Sequence, residues 1–194
     1  MAKDCLRFGI LAFWGCLSTI VLLPPVEGAQ PYVPGEVSGR QIVNTPVYNR
    51  GTKSYFELVV GAKCHCTWGE AYTYAQRLEY KGVRGRLAPV ENAEVHEFLM
   101  RTFKPQYQTW IGIRYLCKGR AVQYSTGKLM SRGDFSAWEA QWNQSGPKAC
   151  DKSYNVAQYL GVAYSPISEG FRWFAKESHK YYQQFFVEFP TGHP

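Results

Sequence analysis

The sequence has few of the residues that catalytic and metal-binding sites usually require. Its four histidines do not stand beside an activated nucleophile or a pair of carboxylates, so neither nucleophilic nor acid–base catalysis is indicated. Cys64-His65-Cys66 places soft ligands close together. Zinc sites normally need a second such pair, however, and none follows. We therefore predict no catalytic residue and no zinc site, and we do not expect an enzyme.

Acidic residues are fewer than basic ones, 15 against 22, which gives a formal net charge of +7. A basic protein is attracted over long range to anionic polysaccharides and membrane headgroups. The Lys and Arg residues are spread along the chain and do not form a groove with interleaved aromatics, which is typical of nucleic-acid binding. We therefore predict peripheral attraction to anionic surfaces and no nucleic-acid partner. The sequence leaves the oligomeric state open.

Long apolar runs are absent except at the start of the chain. Phe8–Leu23 follows a short basic start and precedes small residues, which is the pattern of a secretory signal peptide. The run is short for a membrane anchor, and a lipoprotein signal at Cys16 is disfavoured because apolar residues continue beyond it. We predict a signal peptide over residues 1–28, cleavage before Ala29, and a protein that is secreted, periplasmic or at the cell surface.

The remaining chain has the length of one domain. Pro and Gly interrupt residues 29–52 too often for a regular element, so residues 29–53 are predicted to form a linker or N-terminal arm. Tyr55–Val60 is rich in aromatic and β-branched residues and is the first predicted strand.

Two helices are predicted downstream. Thr67 and Glu70 form a capping box, which marks a helix start. Trp68, Ala71, Ala75 and Leu78 then make one apolar stripe, with Gly82 as the predicted end. A second helix is predicted from near Asn92 to before Pro105, with Val95, Phe98, Leu99 and Phe103 inward. Thr109–Arg114 is predicted to be a buried strand.

These pieces, in this order, resemble a known family. Trp68-x-x-Ala71, Leu87-Ala88-x-Val90, Glu94 with Phe98-Leu99, and Trp110-Ile111-Gly112-Ile113 are similar to the two helices and "WIGL" strand of the C-type lectin-like domain. Tyr124, Gly127, Phe135-x-x-Trp138, Trp173 and Phe185–Phe189 continue the resemblance. It implies an α+β fold over residues 54–190, with two helices packed on small antiparallel sheets, a long loop region, and a tail at 191–194. An unrelated α+β domain with the same element order is the alternative.

The resemblance also implies strands near residues 155–163, 171–175 and 183–189, the last pairing with Tyr55–Val60. The cysteines depart from the family pattern. Where the family has the two cysteines of one bridge, this chain has Ala75 and Val187. Cys64, Cys66, Cys117 and Cys150 remain after signal removal and allow three pairings. A Cys117–Cys150 bond would tether the long loop to the strands, and a direct Cys64–Cys66 bond would close a tight ring.

The calcium site of sugar-binding family members also looks incomplete. The resemblance places Gln141-Trp142-Asn143 at the family's ligand triplet, without its proline. Phe174 and Ala175 follow Trp173 where the family has an Asn-Asp pair, and neither carries a side-chain oxygen. We therefore expect no calcium site and no cofactor.

Sugars can still be held without calcium by aromatic faces and amides. The candidates for ligand contact are Trp138, Gln141, Trp142, Asn143, Tyr154 and Trp173. Trp138 and Trp173 also match positions that support the family's loop and core, so Trp142 is the strongest candidate for exposure. The predicted function is a secreted lectin-like protein that binds carbohydrate. The alternative is a lectin-fold module that recognises a cell-surface protein, for which Arg132-Gly133-Asp134 in the loop is a weak signal.

Overall fold

The structure of the protein is a computed structural model, and it describes residues 30–31, 36–37, 40–42, 45–61, 66–145, 150 and 158–194. The strands in chain order are β1 (Gln30–Pro31), β2 (Glu36–Val37), β3 (Arg40–Ile42), β4 (Val47–Asn49), β5 (Ser54–Gly61), β6 (Leu78–Tyr80), β7 (Val83–Arg84), β8 (Arg86–Leu87), β9 (Thr109–Leu116), β10 (Ala121–Tyr124), β11 (Tyr159–Tyr164), β12 (Trp173–Glu177) and β13 (Gln184–Phe189). The helices are α1 (Trp68–Ala75), α2 (Ala93–Phe103) and α3 (Ala140–Ser145), with a short 3-10 helix at Ile167–Glu169.

The main sheet pairs the first long strand of the domain with the last one. Its central path runs β12-β11-β9-β13-β5-β3-β2. β5 pairs antiparallel with β13, from Val60 opposite Gln184 to Tyr55 opposite Phe189, which confirms the predicted pairing of the first and last long strands. β13 runs parallel to β9, so the sheet is mixed rather than purely antiparallel. The α+β class is confirmed, and β1, β6 and β7 form a separate small sheet.

Helix α1 begins as predicted and ends early. The Thr67 hydroxyl accepts from the Glu70 backbone N–H at 3.2 Å, and the Glu70 carboxylate accepts from the Thr67 N–H at 2.8 Å. The predicted continuation through Leu78 to Gly82 is wrong, because Leu78 starts β6. Lys81 and Gly82 both have positive φ, 50° and 74°, and form the two-residue turn between β6 and β7. That backbone conformation suits a tight hairpin as well as a helix end.

Helix α2 matches its prediction. The Asn92 side chain accepts from the Val95 N–H at 2.9 Å and caps the first turn. Val95, Leu99 and Phe103 are buried on one face. Lys104 takes the left-handed conformation directly after the helix, one residue before Pro105.

The two helices cover different groups of core residues. Ile111 and Ile113 of β9 pack in the core cluster that contains the buried face of α2, whereas Trp110 packs with α1. Gly112 lies between these neighbours, and a Cβ there would clash with the carbonyl oxygen of Leu87. The glycine of the "WIGI" stretch is therefore required by close approach of the backbone.

Packing replaces the disulfide that the family would place between α1 and the last strand. Ala75 and Val187 are both fully buried in the α1 cluster. Gly85 lies between them, since an added Cβ would stand 2.7 Å from the Ala75 oxygen and 2.8 Å from Val187 Cγ1. Small side chains thus let these segments approach without a covalent bond.

The N-terminal arm is more ordered than predicted near the domain. Val47–Asn49 pairs antiparallel with β5, and the ring of Tyr48 lies 5.0 Å from that of Tyr55. The prediction of no regular element over residues 29–52 is wrong at β1, β2, β3 and β4. β3 and β4 both pair with β5, whose edge offers hydrogen-bonding partners that local composition does not reveal. The predicted signal peptide lies outside the described residues. In the part of the chain that the structure describes, no helix is long and apolar enough to cross a membrane.

Glu57 is a buried carboxyl in the middle of β5, opposite Val187. It has no exposed surface, and neither carboxyl oxygen has a hydrogen-bond partner. Burial raises the pKa of Glu57 from its usual value to about 8, because removal from water disfavours the charged form. The folded protein therefore keeps this side chain neutral where the unfolded chain ionises it.

We predict that Glu57→Gln stabilises the protein in a pH-dependent way. Below pH 4.5 the carboxyl is protonated in both states and the substitution should change little. As pH rises toward 8 the unfolded wild-type chain gains from ionisation, so the variant's advantage should grow to roughly 3–5 kcal/mol. Urea unfolding at pH 4, 6 and 8 measures this. Glu169→Gln, at an exposed position, is the control, and an advantage for Glu57→Gln that does not vary with pH would contradict the prediction.

Candidate functional site

A disulfide closes the long loop that follows β9. Cys117 directly follows β9 and forms a disulfide with Cys150, with 5.7 Å between the Cα atoms. This confirms the pairing that would tether the loop to the strands. Cys66 is buried, and its Sγ lies 3.5 Å from the Tyr182 carbonyl oxygen. Cys64 lies outside the described residues, so the alternative of a Cys64–Cys66 bond stays open.

Trp173, the first residue of β12, joins the loop to the core. Its backbone N–H donates to the Ala137 carbonyl at 2.8 Å, and its carbonyl accepts from the Glu139 N–H at 2.9 Å. Its ring meets that of Trp138 edge-on at 5.5 Å. Trp173 has no exposed surface. Its prediction as a ligand contact is therefore corrected, because the tryptophan fills the core beneath the loop.

Trp138 and Trp142 form a stacked pair that we name the tryptophan platform. Their ring centroids lie 4.9 Å apart with planes inclined by 22°. Trp142, in α3, also packs edge-on against Tyr115 at 5.5 Å. Both tryptophans are partly exposed, and Gln141 beside them is exposed. The structure thus brings together three of the predicted ligand contacts.

The remaining two predicted contacts are not described. Tyr154 lies outside the described residues, and so does the side chain of Asn143.

The loop also contains a tight turn, in which the Asp134 N–H donates to the Ser131 carbonyl at 3.1 Å. The Asp134 carboxylate accepts from the Ser131 N–H at 2.8 Å. Arg132 and Gly133 are exposed at its tip.

Solved structures share this arrangement of helices, sheet and loop. The chain aligns with a human scavenger receptor C-type lectin carbohydrate-recognition domain at 12% identity and a TM-score of 0.53, covering 75% of this chain and 97% of that one. The mouse domain of the same name aligns at 10% identity and 0.51, covering 70% and 88%. The cow CD23 carbohydrate-recognition domain, solved in the presence of a GlcNAc2Man3 oligosaccharide, aligns at 14% identity and 0.51, covering 80% and 96%.

This chain has the C-type lectin-like fold. At these identities the likeness shows the fold alone. No protein-family model matches the chain, and no curated protein sequence matches it.

Two of the positions at which the resemblance implies calcium ligands do not fit that ion. Phe174 and Ala175 are 7% and 6% exposed and pack in the core. Calcium needs six to eight oxygen ligands, and these two side chains supply none. Among the described residues, no group of three or more His, Cys, Asp or Glu side chains could hold a metal.

His96 belongs to the aromatic packing of the fold rather than to a nucleophilic pair. Its Nδ1 lies 2.8 Å from the Tyr164 hydroxyl, and its ring contacts those of Phe135 and Phe171. Burial, followed by the nearby Arg172 charge, lowers the pKa of His96. Burial thus disfavours the charged imidazole beside Tyr164, whose pKa burial raises.

A second concave surface lies away from the platform, between α1 and the hairpin of β9 and β10. This cleft has a volume of about 170 Å³, and it is lined by Trp68, Tyr72, Arg114, Ser125, Thr126 and Gly127. Sequence reasoning missed it. The available signal was Arg114 itself, a charged residue within an otherwise apolar strand.

We predict that the paired substitution Cys117→Ser and Cys150→Ser lowers the free energy of unfolding by about 2–4 kcal/mol. The bond closes a sequence separation of 33 residues, so its loss gives the unfolded chain more freedom. Urea unfolding of the variant, and of the wild type with and without reductant, measures the loss. An unfolding midpoint equal to that of the oxidised wild type would contradict the prediction.

Proposed function

We propose that this chain is a lectin-like binding module that recognises carbohydrate through the tryptophan platform without calcium. The observation that carries the proposal is the stacked, partly exposed pair of Trp138 and Trp142 beside exposed Gln141. The platform places two partly exposed indole rings next to an exposed amide in the loop.

These groups suit the chemistry of a sugar ring. The C–H face of a pyranose packs on an indole, which supplies a large apolar area in a fixed orientation. An amide both donates and accepts hydrogen bonds, so Gln141 can pair with ring hydroxyls. Asn143 adds a second amide next in the chain. Trp142 is held by Trp138 and Tyr115, so binding would not need to order its ring first.

The class of ligand is supported by the structural neighbours, which are carbohydrate-recognition domains, one of them solved with an oligosaccharide. A binding module, rather than an enzyme, agrees with the half-buried His96, whose pKa is lowered, and with the buried Cys66. We propose that the module needs no cofactor, because Phe174 and Ala175 offer calcium no side-chain oxygen.

We also propose that the protein is exported, through the signal peptide over residues 1–28. The Cys117–Cys150 disulfide supports this location, since such bonds persist in oxidising compartments. A net charge of +7 would add attraction to anionic surfaces outside the cell. Nucleic acid is not among the proposed partners.

Protein recognition is the alternative function, and exposed apolar side chains favour it. Tyr107, Leu129 and Tyr181 are 55%, 53% and 56% exposed, and the Ser131–Asp134 turn presents Arg132 and Gly133 to solvent. These exposed groups would then contact a cell-surface protein in adhesion.

We predict that protein expressed from the full sequence binds particular oligosaccharides on a glycan array in both calcium and EDTA. Trp142→Ala should lower that signal at least about tenfold, as expected for loss of a central aromatic contact. Tyr107→Ala is the matched control, since it removes an exposed aromatic at the opposite end of β9 and should leave binding unchanged.

Thermal unfolding of each variant checks that the platform change has not unfolded the domain. Binding lost in EDTA would contradict the calcium-free site. A silent array with folded protein would contradict carbohydrate recognition and favour the protein partner.

A further inference from the structure

Arg114 occupies an unusual position in the cleft between α1 and the hairpin of β9 and β10. Its guanidinium lies 5.9 Å from the ring centroid of Trp68 and 5.5 Å from that of Tyr159. Both distances are within the range of cation–π attraction. The side chain is only partly exposed, so two aromatic walls shield the charge from water.

Neighbouring residues fix the orientation of this guanidinium. Its Nε and Nη2 atoms both donate to Gln123 Oε1, at 2.9 and 2.7 Å. The Gln123 amide in turn donates to the Gly127 carbonyl at 2.9 Å. Gly127 has a φ of 89° in the turn after β10, a conformation that suits glycine. The arginine is therefore held by a chain of hydrogen bonds that ends in a tight turn.

This arrangement leaves one edge of Arg114 open. A guanidinium has five N–H donors, and two of them are used on the edge formed by Nε and Nη2. The opposite edge, formed by Nη1 and the second Nη2 hydrogen, can donate two parallel hydrogen bonds to an oxyanion.

No carboxylate of the described chain neutralises Arg114. By contrast, Arg86 pairs with Glu188 at 2.8 Å and Arg101 pairs with Glu97 at 3.0 Å. A partly buried, oriented and unpaired cation is a strong attraction for an anion in a site of reduced dielectric.

The rest of the cleft suits a polar ring that carries the anion. Thr126 is exposed at the rim, and Tyr72 stacks on Trp68 with 5.2 Å between ring centroids. The Ser125 hydroxyl donates to the Leu87 carbonyl at 2.7 Å and retains its acceptor capacity. The volume of about 170 Å³ limits the occupant to a small group rather than an extended chain.

We propose that this cleft is a second binding site, which takes the oxyanion of an acidic sugar unit, a carboxylate or a sulfate ester, on the open edge of Arg114. The ligand class rests on the proposed function, whereas the anion site rests on the geometry of Arg114 alone. An acidic glycan would then engage the protein through a subsite separate from the tryptophan platform.

The test uses protein expressed from the full sequence and oligosaccharides that differ in one unit: glucose, glucuronate or glucose 6-sulfate. We expect the acidic members to bind at least about tenfold more tightly than the neutral one, as charge-assisted hydrogen bonds imply. Arg114→Gln should remove the preference. Arg114→Lys keeps the charge but loses the paired edge, and should reduce the preference. The two acidic arms show which oxyanion the cleft takes.

Arg84→Gln is the matched control, because it removes the same charge at an exposed position in β7, outside the cleft. A preference that survives Arg114→Gln, or that falls equally in Arg84→Gln, would overturn the proposal in favour of general charge attraction.

The outcomes distinguish a failure of the Arg114 site from a failure of the proposed carbohydrate recognition. Equal binding of acidic and neutral members would overturn the Arg114 site and leave the proposed function standing. If no oligosaccharide binds, free glucuronate is titrated while the Trp68 indole N–H signal is followed by NMR. A shift in the wild type that is absent in Arg114→Gln would support the anion site and overturn carbohydrate recognition by the platform. No shift would overturn the anion site as well.

Discussion

The packing of Trp173 is the contact on which the candidate site depends. Its ring meets Phe135 at 5.7 Å, Trp138 at 5.5 Å and Tyr164 at 6.4 Å, each edge-on. Aromatic pairs of this kind stabilise by about 0.5–1.5 kcal/mol each beyond the burial of area. Two backbone hydrogen bonds then hold the segment Ala137–Glu139 beside β12. The tryptophan platform is thus the outer layer of an aromatic stack that starts in the core.

Covalent and non-covalent constraints are distributed differently from the family pattern. The α1 side of the domain is closed by close packing, since Ala75 and Val187 are buried together and Gly85 has no room for a side chain. The Cys117–Cys150 bond instead restrains the loop that follows β9. A bond adds most to stability where it closes a long flexible segment.

Much of the fold could be predicted from local signals. The caps at Thr67 and Asn92 and the period of α2 are encoded within a few residues, and the structure has both. The end of α1 could not be predicted, because Leu78 continues the helical period by coincidence and positive φ at Gly82 suits either a cap or a hairpin. The burial of Trp173 could not be read from its residue type, since it depends on β11 and the loop. The surroundings of Arg114 could not be predicted either, because only the folded topology brings Tyr159 beside it.

The measurement that tests the account most directly is an NMR titration of ¹⁵N-labelled protein in EDTA with a neutral oligosaccharide selected on the array. The indole N–H signals of the tryptophans report on each site separately. We predict that the Trp142 signal shifts with saturation and that Trp138 follows. The Trp110 signal should stay, because its N–H donates to the buried carbonyl of Cys66 at 2.7 Å. The Trp68 signal should also stay, because a neutral sugar offers no oxyanion to the neighbouring Arg114. A saturable shift that spares Trp142, or no shift at all, would contradict the account.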